Sequence, residues 1–349
     1  MKICCFFATL FISVNALAQE PRPQCPDRIV DRLYNDTAGE IRLECSLEMK
    51  PDSVIRKQVL LEGENASNIR IDCAGSRLER GLKIYSRKQT DETGQVSWSV
   101  PRDIRVSNCI TGAITHVYGM GINGEGEDLT DSSRREGHTE RVQANAPSGI
   151  HFDQFTTETS GAIPFYFGPG VTNSSITNSL IRGSARSVAI YLDAESGQNL
   201  ISGNTFTIST GRELIAVDGS ANNRIADNRF NSLSQGGIYL YRNCGEGGNI
   251  RHQAPQNNLI EGNRFYYDKY RGRNPGVWLG SRDGNRNYCD HDEGYELGSS
   301  ADDRDFANNN RVTNNTFVKF LRIRNDGENN LIENNQVENP GQCFLMFCW

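Results

Sequence analysis

From about residue 171 the chain alternates short apolar runs with polar turns, and no stretch holds a 3.6-residue helical period. One phrase recurs: a polar turn, a β-branched or Leu pair, then an Asn two residues before an apolar residue. It reads VTNSSITNSLI (171–181), QNLISGNTF (198–206), NNRIADNRF (222–230), NNLIEGNRF (257–265), NNRVTNNTF (309–317) and NNLIENNQV (329–337). The anchoring residues are Asn178, Asn204, Asn228, Asn263, Asn315 and Asn335, and looser versions occupy 67–73, 102–109 and 148–155. After each phrase comes a second apolar run: AIPFYF (162–167), SVAIYL (187–192), ELIAV (213–217), GGIYLY (236–241), GVWLG (276–280) and FLRIR (320–324). Two short strands per repeat cannot bury an apolar face alone, but stacked repeats can, which is the logic of a solenoid. Asn at equivalent turns would let each side-chain amide pair with the next coil. Residues 27–34, with Ile29, Val30 and Leu33 on one side, predict a short helix that closes the N-terminal end against edge pairing.

This pattern resembles the right-handed parallel β-helix superfamily, the pectate-lyase-like solenoids, over roughly residues 40–349. The resemblance implies an all-β, single-stranded right-handed parallel β-helix with a short N-terminal cap (19–39) and long loops on one edge. It implies an exported, polysaccharide-active protein. The triplet Asp290-His291-Asp292 is similar to the Asp-Pro-His-Asp stretch of alginate C5-epimerases, without the Pro.

Residues 1–18 read as a secretory signal: Lys2, an apolar stretch, and Ala16-Leu17-Ala18 as the cleavage site. A periplasmic or secreted location follows, and Cys4 and Cys5 leave with the signal. The eight remaining cysteines favour disulfides over a metal site, because no CxxC occurs and the His are scattered. Cys73 and Cys109 follow equivalent positions of their phrases, so they should meet on neighbouring coils about 4.8 Å apart. Cys244 and Cys289 follow equivalent second strands; Cys25–Cys45 and Cys343–Cys348 are left by elimination. A net charge of −6 without a basic block argues against nucleic acid. No later apolar run could span a membrane. We expect a monomer, without a certain cofactor.

Aligning the second strands on Phe165, Ile190, Ile215, Ile238, Val277 and Leu321 sends alternate residues outward. The first outward column is Tyr166, Tyr191, Ala216, Tyr239, Trp278, Arg322; the next is Gly168, Asp193, Asp218, Tyr241, Gly280, Arg324. Such aromatics either pack beneath loops or offer flat faces to sugar rings, with Asp and Arg bonding hydroxyls. Two long excursions, 242–256 and 281–307, leave this edge; length of that order points to function. A third loop, 121–147, reads as mobile, solvated decoration.

The expected substrate is an acidic, uronate-containing polysaccharide. A lyase or C5-epimerase needs a neutralising cation, a base and an acid. Arg242, Arg282, Arg322 and Arg324 could neutralise, His252 or His291 could be the base, and Tyr239 or Tyr241 the acid. Tyr166, Tyr191, Tyr239, Trp278, Arg322, Arg324 and His291 would bind the chain. Paired Asp193 and Asp218 would instead suit a glycoside hydrolase or a Ca²⁺ site. A non-catalytic glycan-binding or surface structural β-helix is the third expectation.

Overall fold

The computed structural model describes residues 20–35, 37–121, 126–231, 233–243, 249–267, 274–280 and 307–339. The proposed signal, His291, Arg282 and the cysteines 244, 289, 343 and 348 lie outside them. Among the described residues the strands assemble into three ten-stranded parallel sheets and one antiparallel pair, Arg87–Thr90 with Val96–Ser99. The first runs from Gly39–Arg42 through Ile190–Leu192 and Ile238–Tyr241 to Ile323–Asn325; the second ends on Leu331–Glu333 and the third on Gln336–Glu338. Each coil contributes one strand to each sheet, and the crossover sense of parallel strands makes the winding right-handed. The fold is a right-handed parallel β-helix.

Side chains that alternate inward fill the coil. Phe206, Phe230, Phe265 and Phe317 stack at centroid distances of 4.7, 4.8 and 4.7 Å, one per coil. The N-terminal end is closed by helix α1 (Asp27–Tyr34), whose Leu33 is buried and whose Ile29, Val30 and Tyr34 pack on the core. Disulfides join Cys25 to Cys45 and Cys73 to Cys109 in these first coils. At the other end, Ile332 and Val337 remain 38% and 44% exposed. No helix among the described residues is long and apolar enough to cross a membrane.

Two asparagine ladders, not one, hold the coils in register. In the first, the Oδ1 atoms of Asn204, Asn228, Asn263, Asn315 and Asn335 each accept the backbone N–H of the preceding rung at 2.9–3.1 Å. In the second, Asn199, Asn223, Asn258, Asn310 and Asn330 do the same across the other turn. The ladders flank every second-sheet strand from 200 to 333.

Two register expectations are corrected. Ser179, not Asn178, stands on the first ladder. Asn178 occupies the left-handed position before it, with φ 51°, equivalent to Gly203, Asp227 and Gly262. Asn tolerates that conformation, so an Asn at either place looks alike in sequence. In the last coil Val277 pairs with Ile323 and Trp278 with Arg324. Leu321 is therefore not inward but 48% exposed, and Arg324, not Arg322, continues the aromatic column. A slip of two residues keeps the same alternation, so pattern alone does not separate the choices.

Asn228 accepts from Asn204 through N–H and Nδ2, and its own Nδ2 donates to Ile201 O and Asn263 Oδ1. Asn228→Ala strands these buried groups and is expected to lower unfolding free energy by about 3 kcal/mol in urea titration. Asn178→Gly, which relieves a left-handed residue, should stay within about 1 kcal/mol of the native protein. Equal losses at both sites would contradict the ladder assignment.

Candidate functional site

The outward column of the first sheet is read from strand pairing as Lys83, His116, Tyr166, Tyr191, Ala216, Tyr239, Trp278, Arg324. Its middle is covered. Tyr166, Tyr191 and Tyr239 are buried in a small apolar cluster outside the coil core, with Trp278 at its margin. Tyr166 and Tyr191 stack at 5.0 Å, nearly parallel. Of the two expectations for these aromatics, packing beneath other chain describes the three tyrosines.

Two of their hydroxyls turn to the acids of the next column, while Tyr239 Oη donates to Gln235 O at 3.3 Å. Tyr166 Oη donates to Asp193 Oδ2 at 2.6 Å, and Tyr191 Oη to Asp218 Oδ2 at 2.5 Å. Asp193 also accepts Ala194 N–H, while Asp218 accepts the backbone and side-chain N–H groups of Asn243. Between the acids sits Arg251, whose Nη1 is 2.8 Å from Asp218 and 3.8 Å from Asp193. Both carboxyls are fully buried, so the paired Asp193 and Asp218 face a guanidinium and phenols rather than an open cleft. Burial pushes Asp193 up to about 6, against the pull of Arg251. Burial also opposes the Arg251 charge, but the two carboxylates more than offset it and raise its pKa.

Tyr241 is likewise interior. Its hydroxyl donates to Glu213 Oε1 at 2.8 Å and meets Arg212 Nη2 at 2.5 Å. The structure thus removes Tyr241 from the role of proton donor in a groove, because its side chain is closed in by its partners.

Loop 121–147 is the larger departure from expectation. Its described part forms helices α2 (Glu127–Ser133) and α3 (His138–Asn145), with Leu129, His138 and Val142 buried. They clamp the first excursion: Ser133 Oγ accepts Ile250 N–H, and Thr130 Oγ1 donates to Asn249 Oδ1. Glu195, buried beneath, accepts Thr139 Oγ1 at 2.5 Å and the backbone N–H groups of His252 and Gln253. Burial raises the pKa of Glu195, opposed first by the Thr139 hydroxyl. His138, packed 4.8 Å from the His252 ring, is held neutral, its pKa lowered by burial to about 3.

This clamp brings two of the expected residues together. Arg242 and His252 line one groove of about 510 Å³ with Thr139, Glu140, Gln253 and Gln256. His252 is exposed, and its Nε2 lies 2.6 Å from Ser133 O. A carbonyl oxygen only accepts, so Nε2 carries the proton and, in the neutral ring, Nδ1 carries the lone pair. Arg242 lies behind it, only 1% exposed, with Nη1 donating to Arg251 O at 3.4 Å. Trp278 is elsewhere: its indole N–H donates to Asp326 at 2.8 Å, and Arg324 lies 5.0 Å over its ring. Arg322 is exposed, beside Phe320.

Sequence reasoning missed the structural weight of Arg251 and Glu195. The available signal was two acids at equivalent places on adjacent coils, which when buried demand a cation. Among the described residues no cluster of three His, Cys, Asp or Glu could hold a metal ion.

The family model for a right-handed β-helix region matches residues 104–285. No curated protein matches the sequence. Among solved structures, the chain is similar to a tailspike protein of the E. coli bacteriophage HK620 in complex with a pentasaccharide, at 11% identity and TM-score 0.43. That match covers 93% of this chain but 55% of the tailspike, so the chain spans about half its length. It is similar to PfbA, a surface adhesin of Streptococcus pneumoniae, at 14% identity and TM-score 0.41, covering 90% and 73% of the two chains. It is also similar to the periplasmic alginate epimerase AlgG, at 11% identity and TM-score 0.31, covering 84% of each.

The raised Asp193 pKa fixes a sign for stability. Between the unfolded value of about 3.9 and the folded value near 6, the native protein holds a proton that the unfolded chain has released. This contribution is complete below about pH 4 and is lost as pH rises through 6. Asp193→Asn, which leaves Arg251 its closer partner Asp218, should flatten that loss by up to about 2–3 kcal/mol at pH 8. Urea midpoints from pH 4 to 8 measure it; parallel curves for native and variant would refute the assignment.

Proposed function

This chain belongs to the right-handed β-helix family, and on that footing we propose that it acts on an acidic, uronate-containing polysaccharide by removing the proton beside the carboxylate. The observation that carries the reading is the shared groove of Arg242 and His252. Its walls of Thr, Gln and Glu side chains suit sugar hydroxyls. The two disulfides support action outside the cytoplasm, in the periplasm or after secretion.

His252 acts as the base through Nδ1, since Nε2–H is committed to Ser133 O. That donation orients the ring, and Glu195 fixes its backbone. As the proton leaves, charge moves onto the uronate carboxylate, and the Arg242 guanidinium, buried behind the groove wall, stabilises it by its field more than it stabilised the ground state. The carbanionic intermediate then expels the glycosidic oxygen, which takes a proton from water, as a lyase, or takes a proton from water on the opposite face as an epimerase; in either case the imidazolium returns its proton to water. The buried Asp193 and Asp218 take no part; they anchor Arg251, whose carbonyl oxygen accepts from Arg242.

A panel of uronate polysaccharides distinguishes the outcomes. A lyase generates ultraviolet absorbance from the unsaturated sugar, while an epimerase changes C5 configuration in the proton NMR spectrum without shortening the chain. His252→Ala should lower turnover by about 10²–10⁴-fold, the usual contribution of a positioned base, with unchanged thermal unfolding. Full activity in that variant, or no change in any uronate polymer, would overturn the proposal.

A further inference from the structure

A second hollow lies on the same sheet face, toward the N-terminus, and the reaction above does not use it. It holds about 330 Å³ and is lined by Glu40, Lys83, Tyr85, Ser86, Tyr118 and Met120, over Leu60. Strand pairing sets it out: Leu60, Lys83 and His116 form one outward column, and Glu62, Tyr85 and Tyr118 the next. The two tyrosine rings meet edge to face at 6.3 Å. His116 stacks on Tyr118 at 3.5 Å and braces that ring against the sheet. Burial keeps the imidazole uncharged, its pKa lowered to about 3, so the stack has no cation to hydrate.

One polar group beside these rings is unused. Ser86 is 7% exposed, and its hydroxyl has no hydrogen-bond partner among the described residues. A buried hydroxyl without a partner is destabilising, and a bound hydroxyl would recover that loss. Lys83 sits on the floor of the hollow and Glu40 is exposed on its wall. Opposite charges at one hollow do not suit a phosphate or a polyanion patch. They suit a ring that carries several hydroxyls and at most one carboxylate. The volume lies at the small end of ligand sites, roughly 300–1,000 Å³, enough for one or two sugar residues.

We propose that this hollow is a secondary sugar-binding subsite, with a pyranose packed on the Tyr85–Tyr118 pair. Lys83, Ser86 and Glu40 hold its hydroxyls or carboxylate. The strand Thr115–Tyr118 stands four coils from Ile238–Tyr241, about 19 Å along the axis. Helices α2 and α3 lie in the same insertion that leaves the hollow at Met120 and Gly121 and reaches the His252 groove at Thr139 and Glu140. That both sites hold one chain rests on the proposed function; sugar binding in the hollow does not.

Saturation-transfer NMR on the full chain, with galacturonate, glucuronate, galactose and glucose disaccharides, tests it. At least one should receive saturation in the native protein and equally in His252→Ala. Lys83→Met and Glu40→Gln should each weaken that binding about five- to tenfold, as expected for one charge-assisted hydrogen bond, with unfolding midpoints unchanged. No binding by any of the four, binding indifferent to both substitutions, or binding lost in His252→Ala would each overturn the subsite. Uronate turnover with none of these binding effects would leave the proposed reaction standing and the hollow without a role. Lysine-dependent binding without turnover would do the reverse.

Discussion

Everything in this molecule depends on a side-chain amide standing in for backbone. At each turn beside the second sheet from Ser174 to Asn335, a rung residue's N–H has no strand partner and would be buried unpaired. The Asn of the next coil accepts it, and its own Nδ2 reaches a carbonyl one coil back, as Asn228 does to Ile201. Each such bond contributes only about 1 kcal/mol net, yet leaving its atoms unpaired costs more, so the arrangement specifies register more than it adds stability. Coil shape is thereby fixed at two turns, and variation is confined to the third side.

That confinement explains where the unusual chemistry sits. Excursions leave after first-sheet strands, while the ladder bonds span 35 residues from Asn223 to Asn258 and 52 from Asn258 to Asn310 at an unchanged 2.9 Å. The first excursion delivers Arg251 to the carboxylates of two other coils. A charge so deeply buried is costly unless fully paired, and removing one member would leave an uncompensated ion. The same excursion carries His252, so its exposed imidazole is mounted on backbone that Glu195 ties down.

The repeat, the outward columns and the Cys73–Cys109 bond were legible because each follows from periodicity. Ser179 and Arg324 were misplaced because the pattern is satisfied by neighbouring choices, and only backbone pairing selects among them. Burial of Tyr166, Tyr191 and Tyr241 was not legible for a different reason. It depends on contacts without a period, such as Tyr241 with Glu213 and the insertion at 126–145 gripping residues 249–253 across more than a hundred positions. The grip is built from small hydroxyls and backbone, residues that in sequence look like ordinary solvated loop. His252 and Arg242 could be nominated from residue type, but the groove that unites them belongs to that non-periodic contact.

Among the described residues the two ends of the solenoid are unlike: one has a helix and two disulfides, and the other ends on the strands Ile323–Asn325, Leu331–Glu333 and Gln336–Glu338, with Ile332 and Val337 half-exposed. In a stack where each coil touches only its neighbours, opening proceeds from whichever end is weaker. Opening that reaches the middle coils must break the charge pairs of Arg251 as well as amide rungs. The insertion clamp thus doubles as a brake on the spread of opening along the stack.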